Sequence, residues 1–141
     1  QAVLFSSGEQ CRDYLYIDDL LHLVQLSIMK MQNTDSGGSF VAVNAGSGTP
    51  VSVNTIISML EAISGSSLDI ERKSATHYWD KYEQLFARAI TIDKSAIESE
   101  VEKHTHASIK KAFSEFGWAP VIDLRTGLSA CLEHAQNLIR N

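Results

Sequence analysis

Apolar and polar positions along the chain change period several times, and each change predicts an element. Ala2 to Phe5 is a short apolar run turned by Ser6-Ser7-Gly8, and Tyr14 to Ile17 alternates aromatic and aliphatic residues, so both read as short strands. From Leu20 the period lengthens. Leu20, Leu21, Leu23, Val24, Ile28 and Met31 recur at helical spacing, with Asp18 in the N-cap position, and they crowd more than one face. Asn33 to Ser39 is a polar, glycine-bearing loop, and Phe40 to Val43 is a further strand candidate. Ser52 is placed to cap a helix that reaches Ile63 and stops at Gly65, and Leu68 to Glu71 reads as another short strand. His77 to Phe86 and Asp93 to Glu102 read as helices, the second short and acidic. Ser108 is expected to cap a helix ending at Gly117, and Asp123 a last helix through Ile139. Glycine inside a helix costs about 1 kcal/mol relative to alanine, so Gly127 predicts the close approach of another element.

These elements make an α/β chain of about five helices and a few short strands, expected to form a single domain over residues 1–141. With 44% hydrophobic residues in 141, one core can be buried. The formal charge of -5 supplies no basic field, so neither nucleic acid nor an anionic membrane is an expected partner. No run approaches the roughly 20 apolar residues that a membrane span needs, and no secretory signal opens the chain. Cys11 and Cys131 lie far apart and form no metal-type pair, which makes a reduced cytoplasmic setting the expectation.

The segment Gln10-Cys11-Arg12-Asp13-Tyr14-Leu15-Tyr16-Ile17-Asp18-Asp19 combines an Arg-Asp pair, an aromatic-aliphatic run and two aspartates opening an apolar helix. It resembles a signature of the extended short-chain dehydrogenase/reductases, the NAD(P)-dependent nucleotide-sugar epimerases and dehydratases, in their C-terminal substrate-binding part. Further landmarks follow in that family's order. Val43-Asn44-Ala45-Gly46-Ser47-Gly48 resembles its strand-ending Gly-Ser-Gly turn, and Ser52-Val53-Asn54 its next helix start. Ser108-Ile109-Lys110-Lys111-Ala112, Phe116-Gly117-Trp118-Ala119-Pro120 and Asp123-Leu124-Arg125-Thr126-Gly127-Leu128 resemble its closing helices. The resemblance covers about residues 8 to 139.

Two parts of the family's chemistry have no counterpart in this sequence. Nicotinamide binding needs a glycine-rich turn that lets backbone amides approach the pyrophosphate. Gly46-Ser47-Gly48 is the sole Gly-x-Gly, has Val51 where a third glycine would fall, and already matches another family element. Family catalysis also needs a tyrosine with a lysine four positions on, yet Tyr14, Tyr16, Tyr78 and Tyr82 are followed there by Asp18, Leu20, Tyr82 and Phe86. The resemblance therefore implies a dinucleotide-binding Rossmann domain expected to precede Gln1, no catalytic or cofactor-binding residues in this sequence, and no cofactor held by this chain alone.

For the substrate, the resemblance implies that Arg12 contacts the diphosphate of a nucleotide sugar, a task its planar fork suits; pairing with Asp13 or Glu9 is the structural alternative. A second family clamp, an Arg-Pro-Gly-Asp-like segment after the strand near residue 71, is replaced by Glu71-Arg72-Lys73-Ser74-Ala75-Thr76-His77-Tyr78-Trp79-Asp80. Arg72 or Lys73 can substitute for its arginine, and Tyr78 or Trp79 can stack on a base; Trp79 and Tyr82 also suit packing. Asp18 and Asp19 are assigned to helix-start structure. Glu100, Glu102, His104 and His106 alternate as zinc ligands on an extended segment would, but their spacing is no metal signature and no metal is expected. His22 and His134 read as helix-face residues, and Gly46 and Gly48 as turn formers.

Two functions follow from this reading. One is the substrate-binding part of a nucleotide-sugar epimerase or dehydratase of surface-polysaccharide synthesis, not competent alone, holding a nucleotide diphosphate sugar. The other is a noncatalytic ligand-binding or self-associating module, a homo-oligomer formed through the helix face that a dinucleotide domain would cover.

Overall fold

A computed structural model of the protein describes residues 1–33, 40–85 and 93–140, with the backbone alone for 83–85. The loop expected from Asn33 to Ser39 lies outside the described residues beyond Asn33, and so does Phe86. The chain divides into two compact units, each assembled from two stretches of sequence.

The first unit comprises Gln1–Arg12 and Val51–Thr105. Strand β1 (Ala2–Leu4) pairs in parallel with β4 (Ile70–Arg72), Ala2 opposite Ile70 and Leu4 opposite Arg72. Strand β2 (Cys11–Arg12) pairs antiparallel with β3 (Val51–Ser52). Helix α2 (Val53–Ser64) follows at once, because the Ser52 hydroxyl accepts the Thr55 N–H at 3.1 Å, as its sequence position predicted. It ends at Gly65, whose φ of 68° is the left-handed cap glycine favours. The strand expected at Leu68 to Glu71 is shifted to Ile70–Arg72, since its bounds are set by the pairing with β1. The helix expected from His77 is instead a 3-10 segment over Ala75–Leu85, broken by the non-helical Tyr82. Helix α3 (Lys94–Val101) starts at Asp93, whose carboxylate accepts the Ser95 N–H at 2.9 Å, and closes at Glu102.

The second unit comprises Asp13–Pro50 and His106–Asn141. It contains α1 (Ile17–Gln32), α4 (Lys110–Phe116) and α5 (Leu124–Arg140). Leu23, Ala112 and Trp118 form its buried core, flanked by Leu15, Leu26, Val43, Ile109 and Phe116. Burial of an indole leaves its N–H in need of an acceptor. Trp118 Nε1 donates to the Asp19 carbonyl at 2.9 Å, and the buried Asp19 carboxylate accepts the N–H groups of Val121 and Ile122 at 3.1 and 3.0 Å. Asp19 thus joins the start of α1 to the turn before α5. Asp123 accepts both the N–H and hydroxyl of Thr126, capping α5 as predicted, and Gly117 ends α4 with a φ of 64°.

Four expectations are corrected. Tyr14 to Ile17 is no strand, because Asp13 is drawn into contacts with two loops and the helix begins by Ile17. Asp18 is not the N-cap; Tyr16 holds that position without a side-chain bond, leaving Asp18 and Asp19 in the first turn, where negative charge favours the helix dipole. Phe40 to Val43 forms no strand, since no ladder partner lies beside it among the described residues. Ser108 does not cap α4; Ile109 is the cap residue and makes no side-chain cap bond.

Gly127 is buried, and a Cβ there would lie 2.9 Å from Cδ2 of Tyr16 and 3.5 Å from Cγ. The close approach predicted for it is with that ring. On an open helix, Gly→Ala stabilises by up to about 1 kcal/mol. Gly127→Ala is instead expected to destabilise by about 1–3 kcal/mol through overpacking, measured by urea unfolding.

Candidate functional site

Arg72 closes β4, and Lys73 follows it into a cleft of about 370 Å³ shared with Ser6, Ser7, Ser74, Ala75, Glu98 and Glu102. Pairing of β4 with β1 delivers these residues beside Ser6 and Ser7, because the turn after β1 meets the end of β4; the Lys73 N–H donates to the Leu4 carbonyl at 2.9 Å. Arg72 is anchored by its fork, Nη1 to the Ser7 carbonyl at 2.7 Å and Nη2 to Asn54 Oδ1 at 2.8 Å. Gly8 is required beside it, since a Cβ there would collide with the Asn54 amide and approach Arg72 Nη1 to 2.9 Å. Lys73 pairs with Glu71 at 3.2 Å, an exposed contact of little stabilising value that leaves the ammonium able to exchange partners.

Lys73 also lines an adjoining cleft of about 250 Å³ with Phe5, His77, Tyr78, Asp80 and Lys81. Tyr78 stands edge-on to Phe5 at 5.3 Å and to Trp79 at 5.5 Å, while Lys81 Nζ lies 4.3 Å from its ring centre. The half-buried Trp79 and Tyr82 pack with it, at 6.2 Å from each other. Lys73 is common to the two clefts, with Arg72 lining the first and Tyr78 the second.

Arg12 is placed differently. Its Nη1 donates to the carbonyls of Cys11 and Lys103, and its Nη2 to those of Val101 at 3.1 Å and Glu100 at 3.4 Å. The last carbonyls of a helix have no partner within it and carry the negative end of its dipole, so a guanidinium there satisfies both. Arg12 lines neither cleft and fixes the end of α3.

In the second unit, the Gly46-Ser47-Gly48 turn already holds an anion, the Asp13 carboxylate. Oδ1 accepts the N–H and hydroxyl of Ser47 at 2.6 and 2.7 Å, and Oδ2 accepts the N–H groups of Gly48 and Ala107 at 3.2 and 3.0 Å. Burial acts to raise its pKa, but the Ser47 hydroxyl and the Ala107, Ser47 and Gly48 amides outweigh it and hold the carboxyl below the usual aspartate value. A Cβ at Gly46 would lie 2.8 Å from Asp13 Oδ2 and 2.5 Å from the Ala107 methyl, so the approach needs glycine. Sequence reading gave Asp13 only as an alternative partner of Arg12, which bonds backbone carbonyls instead. The available signal was the carboxylate of the Arg-Asp pair together with a Gly-Ser-Gly turn whose amides need an acceptor.

Three of the four alternating residues have other partners: Glu100 pairs with Lys103 at 3.1 Å, Glu102 with Ser7, and His106 Nε2 with the Gly48 carbonyl at 3.0 Å. Among the described residues no three His, Cys, Asp or Glu side chains converge as metal ligands, and no helix is long and apolar enough to cross a membrane.

No protein-family model matches the chain. It is 28% identical over 126 residues to UDP-glucuronate 4-epimerase of Thermodesulfobacterium geofontis (strain OPF15), covering 89% of this chain and 30% of that protein. Its structure is similar to that of UDP-glucuronic acid 4-epimerase from Bacillus cereus in complex with UDP-glucuronic acid and NAD, with a TM-score of 0.68, 26% identity, and coverage of 96% of this chain and 35% of the other. UDP-glucose 4-epimerase from Thermotoga maritima, solved with UDP-glucose, matches with a TM-score of 0.68 over 99% of this chain and 36% of its own, at 22% identity, a likeness of fold alone. The chain spans about a third of the length of the relatives it matches.

Proposed function

We propose a role for a chain that is homologous to UDP-glucuronate 4-epimerase and shares the fold of the NAD-dependent UDP-sugar epimerases of the extended short-chain dehydrogenase/reductase family: it binds the nucleotide diphosphate of a sugar nucleotide at the Arg72–Lys73 cleft. The observation that carries this reading is the meeting of two cations at the end of β4 with the Tyr78 face in the cleft beside them. Lys73 supplies a mobile charge to the phosphates, Arg72 a fixed one, and Tyr78 a surface for the base. Arg12 acts as a positioning residue, holding the end of α3 that bears Glu98 and Glu102.

The residues present do not fit NAD(P). The one Gly-x-Gly turn is filled by the Asp13 carboxylate, whose charge opposes a pyrophosphate at the same amides. Hydride transfer between cofactor and sugar is assigned to residues outside this sequence, and the chain alone is expected to turn over no substrate. The setting proposed is cytoplasmic sugar-nucleotide metabolism feeding polysaccharide synthesis.

Calorimetric titration of the purified chain with uridine and thymidine diphosphates and their sugar conjugates tests the reading, with NAD as the control. Binding is expected for the nucleotide diphosphates, weakened roughly tenfold in Lys73→Ala by loss of a charge-assisted contact. A folded sample that binds none of them overturns it.

A second reading is favoured by one surface. Ile17, Leu20, Leu21, Val24, Ile28 and Met31 on α1 are between 37% and 77% exposed, a continuous apolar stripe of the kind that marks an interaction face. A self-associating module is expected to sediment as a dimer that Leu21→Glu dissociates. A monomer at high protein concentration removes this reading.

A further inference from the structure

The cleft at Arg72 and Lys73 has a second wall of opposite charge. Glu98 and Glu102 stand one turn apart at the end of α3, so their side chains share a face, and both line the cleft. Ser7 keeps the two walls apart. Its carbonyl accepts Arg72 Nη1 at 2.7 Å, while its hydroxyl and N–H donate to the Glu102 carboxylate at 2.8 and 3.2 Å. Arg72 and Glu102 each engage Ser7 and form no ion pair with each other among the described residues, so neither charge neutralises the other by contact. The Ser7 hydroxyl and amide hold the Glu102 carboxyl below its usual range against the opposing effect of burial, with His104 and Arg12 adding to the lowering. At neutral pH it is therefore an acceptor only. Ser6, 7% exposed, also lines the cleft, and its hydroxyl accepts Gln10 Nε2 at 2.7 Å.

We infer that this cleft selects a ligand that is anionic at one end and rich in neutral hydroxyl or amino donors at the other, and rejects one bearing a carboxylate at the Glu98–Glu102 wall. The inference rests on the nucleotide reading above and names the sugar class, a neutral or amino sugar rather than a uronate. The chemistry is one of complementary hydrogen bonding. Two carboxylates accept from a diol or an amine, whereas a sugar carboxylate offers no donor and meets like charge.

Calorimetry with UDP, UDP-glucose and UDP-glucuronic acid on the full chain and its Glu98→Gln variant tests this. UDP-glucose is expected to bind roughly tenfold more tightly than UDP-glucuronic acid, the size of one like-charge contact in a half-open site. Glu98→Gln, at an exposed helix position that the fold does not depend on, is expected to narrow that ratio. Equal or tighter binding of UDP-glucuronic acid, or an undiminished ratio in the variant, overturns the inference while leaving the nucleotide reading in place. Failure of folded protein to bind UDP itself overturns both.

Discussion

Trp118→Ala is expected to cost about 3–5 kcal/mol of stability, the range for emptying a large aromatic site in a core. The side chain is fully buried, with Leu23 and Ala112 as its buried neighbours. Its removal also strips the Asp19 carbonyl of the indole donor, and Asp19 is the residue whose carboxylate organises Val121 and Ile122. Domains of this size have about 5–15 kcal/mol in total, so the loss is a large fraction of the whole. Trp118→Phe separates the two contributions, because it retains most of the apolar contact and deletes the donor; a smaller loss of about 1–3 kcal/mol is expected. Urea unfolding followed by far-ultraviolet circular dichroism reads both. A loss below about 1 kcal/mol in Trp118→Ala would show that the second unit is not organised around this residue.

The second large effect is at Asp13. Asn is nearly isosteric, but it replaces a two-oxygen anionic acceptor with one neutral oxygen and an NH₂ that must face an N–H donor. Asp13→Asn is therefore expected to destabilise by about 2–3 kcal/mol, since contacts to charged acceptors are the stronger kind and one donor side is left unmatched. Its pH dependence has a definite sign. The folded pKa is lowered, so the unfolded chain takes up a proton first on acidification. The stabilisation is complete above the ordinary aspartate value of about 3.9 and is lost as pH falls through the lower folded value. The stability gap between the native chain and Asp13→Asn should stay level from about pH 5 upward and close below about pH 4. A gap that persists undiminished into strong acid would assign the effect to packing instead.

Helix ends were legible where one residue acts on its nearest neighbours, and not at the starts of α1 and α4, where Tyr16 and Ile109 make no side-chain cap bond. Ser52, Gly65, Gly117 and Asp123 cap or stop helices where their types and positions predict. Strands were less legible: β2 and β3 are two residues each and exist only through each other, while Phe40 to Val43 has strand composition and no partner among the described residues. The candidate site shows the same division. Arg72, Lys73 and Tyr78 are near in sequence, and they line two clefts that share Lys73. The role of Ser7 between two charges, the turn of Arg12 onto α3, and the filling of a glycine turn by Asp13 depend on contacts across 34 to 95 residues, for which local pattern carries no signal.

Neither unit is a continuous length of polypeptide. One closes only when residues 51–105 return to 1–12, the other only when 106–141 return to 13–50. During synthesis, the indole that completes the core around Leu23 emerges about a hundred residues after the aspartate it bonds. Ordering so distant a pair requires loop closure before the contacts that reward it exist, which slows folding and leaves Leu23 of α1 without its buried partners on the nascent chain. The chain is thus expected to fold late and to depend on chaperone protection of α1 during that interval, and cutting it at residue 50 would separate no foldable half.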